Sequence, residues 1–204
     1  DWLGDDVWFA HSVHVGIEEI RTYKKHGCGV AHCPSSNMRL GSGFAPLMEY
    51  LREGVNVGLG VDGSASNDGS HMLAEVRQAL LMARLRAGLM GASLSGENAP
   101  KLITAREVLE IATRGGASVL GRKDIGSLEP GKCADFIAVN VNRLNYTGSL
   151  MDPLAALVFC NPGIADYNHV QGRAIVKDGV LMTVDVPDLV KRHNACASRL
   201  TQQK

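Results

Sequence analysis

Residues 55–62 read Val55-Asn56-Val57-Gly58-Leu59-Gly60-Val61-Asp62, a short run rich in valine that ends on a carboxylate. A run of this length, bounded by glycines, predicts a buried strand. Two earlier stretches have the same form. Val7-Trp8-Phe9-Ala10 runs into His11, and Gly29-Val30-Ala31 runs into His32-Cys33-Pro34. Between them, Ile17 to Lys25 predicts a helix that Gly27 ends, and Ala45 to Arg52 a helix that Gly54 ends, both glycines standing where a left-handed C-cap is needed. Strand, helix, strand, helix, strand at this spacing implies parallel pairing through right-handed crossovers. Each strand then ends, on one shared edge, in a group suited to metal or proton chemistry: His11, His32 and Asp62. In an α/β barrel that edge is the active-site face.

Working outward, Gly63 to Ser70 is a loop of turn-formers, followed by a helix over His71–Leu89 with Leu73, Val76, Leu80 and Ala83 along one stripe. Thr104 to Glu107 reads as a capping box for a helix through Ile111, and Gly115-Gly116 predicts a break. From about Gly121 the texture becomes that of a small β region. Ala134 to Val139 predicts a strand, Val170 to Val176 and Val180-Leu181 flank an Asp178-Gly179 hairpin turn, and Pro187 to Leu200 predicts a terminal helix. A complete eight-stranded barrel needs about 250 residues. Only 120 residues precede Gly121, so the chain is read as a small open sheet or as the back half of a barrel enzyme.

Composition narrows the function classes. Apolar residues are 45% and charged residues 21% of 204, an ordinary globular balance that excludes disorder as the general description. The 21 Lys and Arg balance the 21 Asp and Glu, without the basic excess of a nucleic-acid binder. No apolar run approaches the ~18 residues needed to span a bilayer. Five scattered cysteines (28, 33, 133, 160 and 196) make a poor disulfide framework and point to a cytoplasmic setting. Cys28 and Cys33, near His26 and His32, could be drawn as a zinc knuckle, but in an apolar stretch they read better as small core residues. His14, His26, His71, His169 and His193 read as surface or packing residues, and Gly41-Ser42-Gly43 as a loop turn rather than a phosphate cradle. The opening residues contain neither an initiating Met nor a signal-peptide pattern, so the chain is expected to start within a longer protein.

The motifs resemble the amidohydrolase superfamily, in its deaminase and s-triazine hydrolase branch. The segments that carry this are Ala10-His11-Ser12-Val13-His14, His32 to Gly43 (His-Cys-Pro-Ser-Ser-Asn-Met-Arg-Leu-Gly-Ser-Gly), Gly60 to Asn67, Ala112 to Ala117, and Gly126 to Asp135. They fall in the family's order across most of the first 140 residues, and within the branch they are most similar to the bacterial 8-oxoguanine deaminases. The resemblance implies an α/β fold: residues 1–122 as strands six to eight of a metal-dependent (β/α)8 barrel, and 123–204 as the C-terminal share of a small β-sandwich plus the terminal helix. It implies one divalent metal, Zn2+ by preference, with Asp62 as ligand and proton carrier and His11 as a catalytic partner. The remaining histidine ligands and the glutamate acid would lie upstream of Asp1, so this chain alone is expected to be inactive. The implied reaction is hydrolytic deamination of an electron-poor heteroaromatic ring, breaking the exocyclic C–N bond of a cyclic amidine, first of all 8-oxoguanine to uric acid and ammonia. A guanine or s-triazine substrate is the alternative, and a non-catalytic scaffold the competitor from a different class. Ser64, Ser66 and Asn37 are the candidate substrate contacts; Ser35 and Asn37 read either as pocket residues or as loop braces, and His32 as a structural or pocket-wall residue rather than a metal ligand. The implied partners are a small-molecule substrate and further copies of the chain, with no nucleic acid and no membrane.

Overall fold

In the computed structural model, which describes residues 2–90, 101–160 and 163–202, the chain divides into two compact units. The first comprises Asp1–Lys132 and Val141–Pro162; the second comprises Cys133–Asn140 and Gly163–Lys204. Among the described residues no helix is long and apolar enough to cross a membrane.

The first unit begins with β1 (Trp8–Ala10), α1 (Ile17–His26), β2 (Gly29–His32), α2 (Pro34–Arg39), α3 (Leu47–Glu53) and β3 (Asn56–Leu59). As the spacing predicts, the three strands pair in parallel in the order β1-β2-β3, with Phe9 opposite Val30 and Val30 opposite Val57. Gly27 and Gly54 close α1 and α3 at φ 77° and 73°, where a side chain would be strained. The registry continues past the strands: His11 N–H donates to the Ala31 carbonyl and Gly60 N–H to the His32 carbonyl, each at 2.9 Å. The residues following all three strands are thereby drawn to one edge.

Next come α4 (Met72–Leu89), α5 (Ala105–Glu110), a π-helical segment (Ile111–Gly115), α6 (Gly116–Val119) and, after the first visit to the second unit, α7 (Pro153–Phe159). His71 caps α4 through its side chain, and Thr104 and Glu107 form the expected reciprocal box at the start of α5. Val76, Ala79 and Leu80 from α4 join Ile20, Val30, Tyr50, Val57, Val108 and Ile111 in one core. The predicted break at Gly115-Gly116 does not occur. The helix widens into a π turn and continues, because here the chain lies directly against β3: a Cβ on Gly115 would sit 2.1 Å from the Val57 carbonyl oxygen. Gly115 serves close packing rather than a break, whereas a Cβ on Gly116 would meet open space. α2, also unforeseen, starts on Pro34, whose fixed φ suits a first helical turn.

In the second unit, β4 (Phe136–Ala138), β5 (Tyr167–Val170), β6 (Arg173–Lys177) and β7 (Val180–Leu181) form an antiparallel sheet in sequence order, followed by α8 (Val186–Gln202). Asp178 and Gly179 turn the last hairpin at φ 52° and 77°, as the Asp-Gly pair predicts. The stretch Val170 to Val176 is not one strand. Gln171 and Gly172, at φ 50° and 73°, make a second hairpin with Val170 opposite Arg173, so the run joins the end of β5 to β6.

The glycine pair separates two substitutions that look alike on paper. Gly115→Ala forces the π segment off β3 and is expected to cost more than about 2 kcal/mol. Gly116→Ala, with open space around its Cβ position and helical φ, is expected to gain about 0.5–1 kcal/mol. Chemical denaturation of the two variants tests this, and equal effects would contradict the packing assigned to Gly115.

Candidate active site

The edge beyond the strand ends carries the polar chemistry of the first unit. His11 follows β1 at φ 63°, at the centre of a three-residue turn closed by Ser12 N–H on the Ala10 carbonyl at 2.7 Å. Positive φ is unfavourable for a side chain of this size, and Ser12 repeats it at 44°. The hydroxyl of the fully buried Tyr50 donates to the Ser12 carbonyl and holds the turn in place. Asp62, two residues beyond the Gly60 anchor, is also left-handed at φ 61°. Clustered backbone strain of this kind persists only where neighbouring contacts over-determine it.

These turns bring His11 Nε2 to 3.4 Å from Asp62 Oδ2. Both side chains are about one-third exposed, whereas Ser36 and Asn37, which support them, are buried. From α2, Ser36 donates to Asp62 Oδ2 at 2.6 Å, and the next residue, Asn37, places Oδ1 2.9 Å from His11 Nδ1. Ser66 donates to the same Asp62 oxygen at 3.1 Å. The Ser36 bond above all, with the Gly63 N–H and the Ser66 hydroxyl, holds the Asp62 carboxyl below the usual carboxylate range, so it is an anion at neutral pH.

Of the five residues singled out in the sequence, the structure brings together His11, Asn37, Asp62 and Ser66. Ser64 lies exposed on the same loop and joins none of these hydrogen bonds. Asn37, expected as a substrate contact, is 1% exposed and engaged with His11. Sequence reasoning missed Ser36, Tyr50 and a buried carboxylate, Glu75 of α4. Glu75 accepts from Ser35 N–H at 3.0 Å and from Asn67 Nδ2 at 2.9 Å, while Asn67 Nδ2 also donates to the Val61 carbonyl at 2.8 Å. One buried side chain thus ties the start of α2 and the loop after β3 to α4, at Ser35 through the backbone N–H and not the side chain. The available signal was a glutamate beside Val76 on the apolar stripe of α4, a position where a charge needs partners.

His32 ends β2 fully buried, its Nδ1 without a hydrogen-bond partner among the described residues. Burial first, and the neighbouring His11 second, push its pKa down to about 4. Burial likewise pushes the Cys33 thiol up to about 11, as suits a core residue rather than a zinc thiolate. Among the described residues no three His, Cys, Asp or Glu side chains group to hold a metal ion. The Asp62 carboxylate, a hard anionic oxygen donor beside an imidazole nitrogen, fits part of the coordination shell of a divalent cation.

The Amidohydrolase family model matches residues 1–191, and the chain belongs to this family. It is 47% identical to 8-oxoguanine deaminase of Pseudomonas aeruginosa over 199 residues, 98% of this chain and 42% of that one. It is 38% identical to an isoxanthopterin deaminase of an unknown prokaryotic organism, over 93% of this chain and 40% of the relative. Among solved structures, a mutant atrazine chlorohydrolase from Arthrobacter aurescens, complexed with zinc and atraton, superposes with TM-score 0.85 at 35% identity, over 95% of this chain and 41% of that one. An adenosine deaminase from Xanthomonas campestris with bound zinc gives 0.86 at 30%, over 98% and 43%. The chain therefore spans about two-fifths of the length of these relatives.

The depressed His32 pKa has a definite linkage sign. Unfolded, the imidazole binds a proton below pH 6.5; folded, it stays neutral down to about pH 4. Its contribution is therefore fully present above pH 6.5 and is lost as pH falls toward 4, by on the order of 3 kcal/mol. Thermal melts of wild type and His32→Gln should diverge at pH 7.5 and converge near pH 4. A constant difference across this range would exclude a buried neutral His32.

Proposed function

We propose that this chain is the C-terminal share of a metal-dependent (β/α)8-barrel deaminase that removes the amino group of an electron-poor heteroaromatic ring, with 8-oxoguanine the first candidate. The carrying observation is the His11–Asp62 pair at the shared strand edge, held by Ser36 and Asn37 from behind. β1, β2 and β3 correspond in this reading to the sixth to eighth barrel strands, and the second unit to part of a β-sandwich. The 8-oxoguanine deaminase relative supports the substrate. The zinc-bound neighbours support Zn2+ as the metal, with Asp62 as the ligand this chain supplies.

A divalent metal at such an edge lowers the pKa of water into the neutral range and thereby supplies a nucleophile. The chain's own residues then move protons and fix positions. Asp62, ionised at neutral pH, accepts a proton from the attacking water and delivers it to the departing amine. His11 Nε2, 3.4 Å from Asp62 Oδ2, is within reach of the same attacking oxygen and keeps it aligned with the ring carbon. Water adds to the amine-bearing carbon, the C–N bond breaks, and the products are the ring carbonyl and ammonia. Ser66, bonded to Asp62, and the exposed Ser64 overhang the open side, where a ring would enter.

The test is ammonia release by the full-length, zinc-loaded protein over a panel of 8-oxoguanine, guanine, isocytosine, a hydroxytriazine and S-adenosylhomocysteine. Preference for 8-oxoguanine is expected, with Asp62→Ala lowering kcat by more than about 10³-fold and reducing bound zinc. Turnover of a triazine alone would move the protein to the neighbouring hydrolases. Unchanged activity and zinc content in Asp62→Ala, or neither turnover nor bound metal in wild type, would overturn the reading and favour a scaffold.

A further inference from the structure

Asn37 is a polar side chain where the fold itself has no need of one. It is 1% exposed on a six-residue helix, and its amide nitrogen has no hydrogen-bond partner among the described residues. A leucine would fill such a position without leaving a buried donor unpaired. Its one engaged polar side-chain atom is Oδ1, with the carboxamide assigned so that this oxygen faces His11 Nδ1 at 2.9 Å. The bond fixes the plane of the His11 ring and leaves Nε2 as its other nitrogen. That nitrogen is the one directed at Asp62.

The backbone reinforces the bond from both sides. Asn37 N–H donates to the Cys33 carbonyl, and the Asn37 carbonyl accepts from Ser42 N–H. Ser35 N–H is held by Glu75, so the start of α2 cannot shift without breaking a buried contact. From this fixed helix, consecutive residues reach two strand ends: Ser36 to Asp62 and Asn37 to His11.

We infer that Asn37 is a positioning residue for the reaction, fixing the orientation of His11 so that Nε2 faces the reacting oxygen, and that it does not bind the substrate. This rests on the reading of His11 and Asp62 as the reacting pair. It leaves ring recognition to groups on the open side of the site.

The closing experiment is a double-mutant cycle in the full-length, zinc-loaded protein, reading ammonia release from 8-oxoguanine or whichever panel ring is turned over. Asn37→Leu, which keeps the volume and removes the acceptor, should lower kcat by about 10- to 100-fold with KM within about twofold. Asn37→Asp, which keeps an acceptor oxygen, should recover most of that loss. In a His11→Ala background, Asn37→Leu should have no further effect, because its only route to the chemistry is gone. If Asn37→Leu does not fold, Asn37→Ser, too short to reach the ring, carries the same expectation. A raised KM with unchanged kcat, losses that multiply in the double variant, or no recovery with Asp would each overturn the assignment. Wild-type activity in His11→Ala would instead defeat the reading of the reacting pair, and the two failures are thereby distinguishable.

Discussion

Parallel pairing of β1, β2 and β3 is the constraint from which the site follows. Parallel strands joined by right-handed crossovers all end at the same edge, so residues far apart in sequence meet there without any long loop. His11 and Asp62 are 51 positions apart, yet each stands just beyond a strand whose register is pinned by backbone bonds to β2. What pairing alone does not supply is direction. A strand that simply ran on would alternate its side chains, and the left-handed residues at His11 and Asp62 re-aim them toward each other. The strain this stores is tolerated because Tyr50, Ser36 and the Gly63 N–H occupy the positions that would have to move if it were released.

Glu75 plays the corresponding part for the loops. A carboxylate excluded from water is costly unless its oxygens are hydrogen-bonded, and both oxygens of Glu75 are. The arrangement works in both directions: the charge needs Ser35 N–H and Asn67 Nδ2, and those groups, on separate loops, are brought to one point by needing the charge. α2 and the loop after Asp62 are therefore held to the same helix, and the distance between Ser36 and Asp62 is set by α4 rather than by either loop alone.

How much of this was legible depended on how local the cause was. Gly27, Gly54, the Thr104–Glu107 box and Asp178-Gly179 act within a few residues, and each element they mark is present where the pattern predicts it. The strand-end position of His11 and Asp62 was legible too, since parallel spacing carries it. Gly115-Gly116 misled because a glycine pair has two uses, flexibility and close approach, and the second depends on Val57, 58 positions away. Gln171-Gly172 hid a turn inside a β-branched run. Ser36 and Glu75 were invisible for a similar reason: a serine in a Pro-Ser-Ser-Asn loop and a glutamate on a helix look solvated until the third dimension supplies their partners.

The partition of burial across the site has a physical logic of its own. A group that exchanges protons with water and substrate must be reachable, and His11 and Asp62 are each about one-third exposed. Exposed side chains are also the ones freest to change rotamer, which works against a fixed reacting geometry. The conflict is resolved one residue deeper. Ser36 and Asn37 are excluded from solvent, have lost their rotamer freedom to packing, and pass that loss outward through single hydrogen bonds. Rigidity therefore comes from α2 and, in the proposed reading, reactivity from the strand ends. In the proposed reading, substituents that differ between one ring and another would meet the open side of the loop at Ser64, which joins none of the hydrogen bonds of the pair, whereas Ser66 is tied to Asp62.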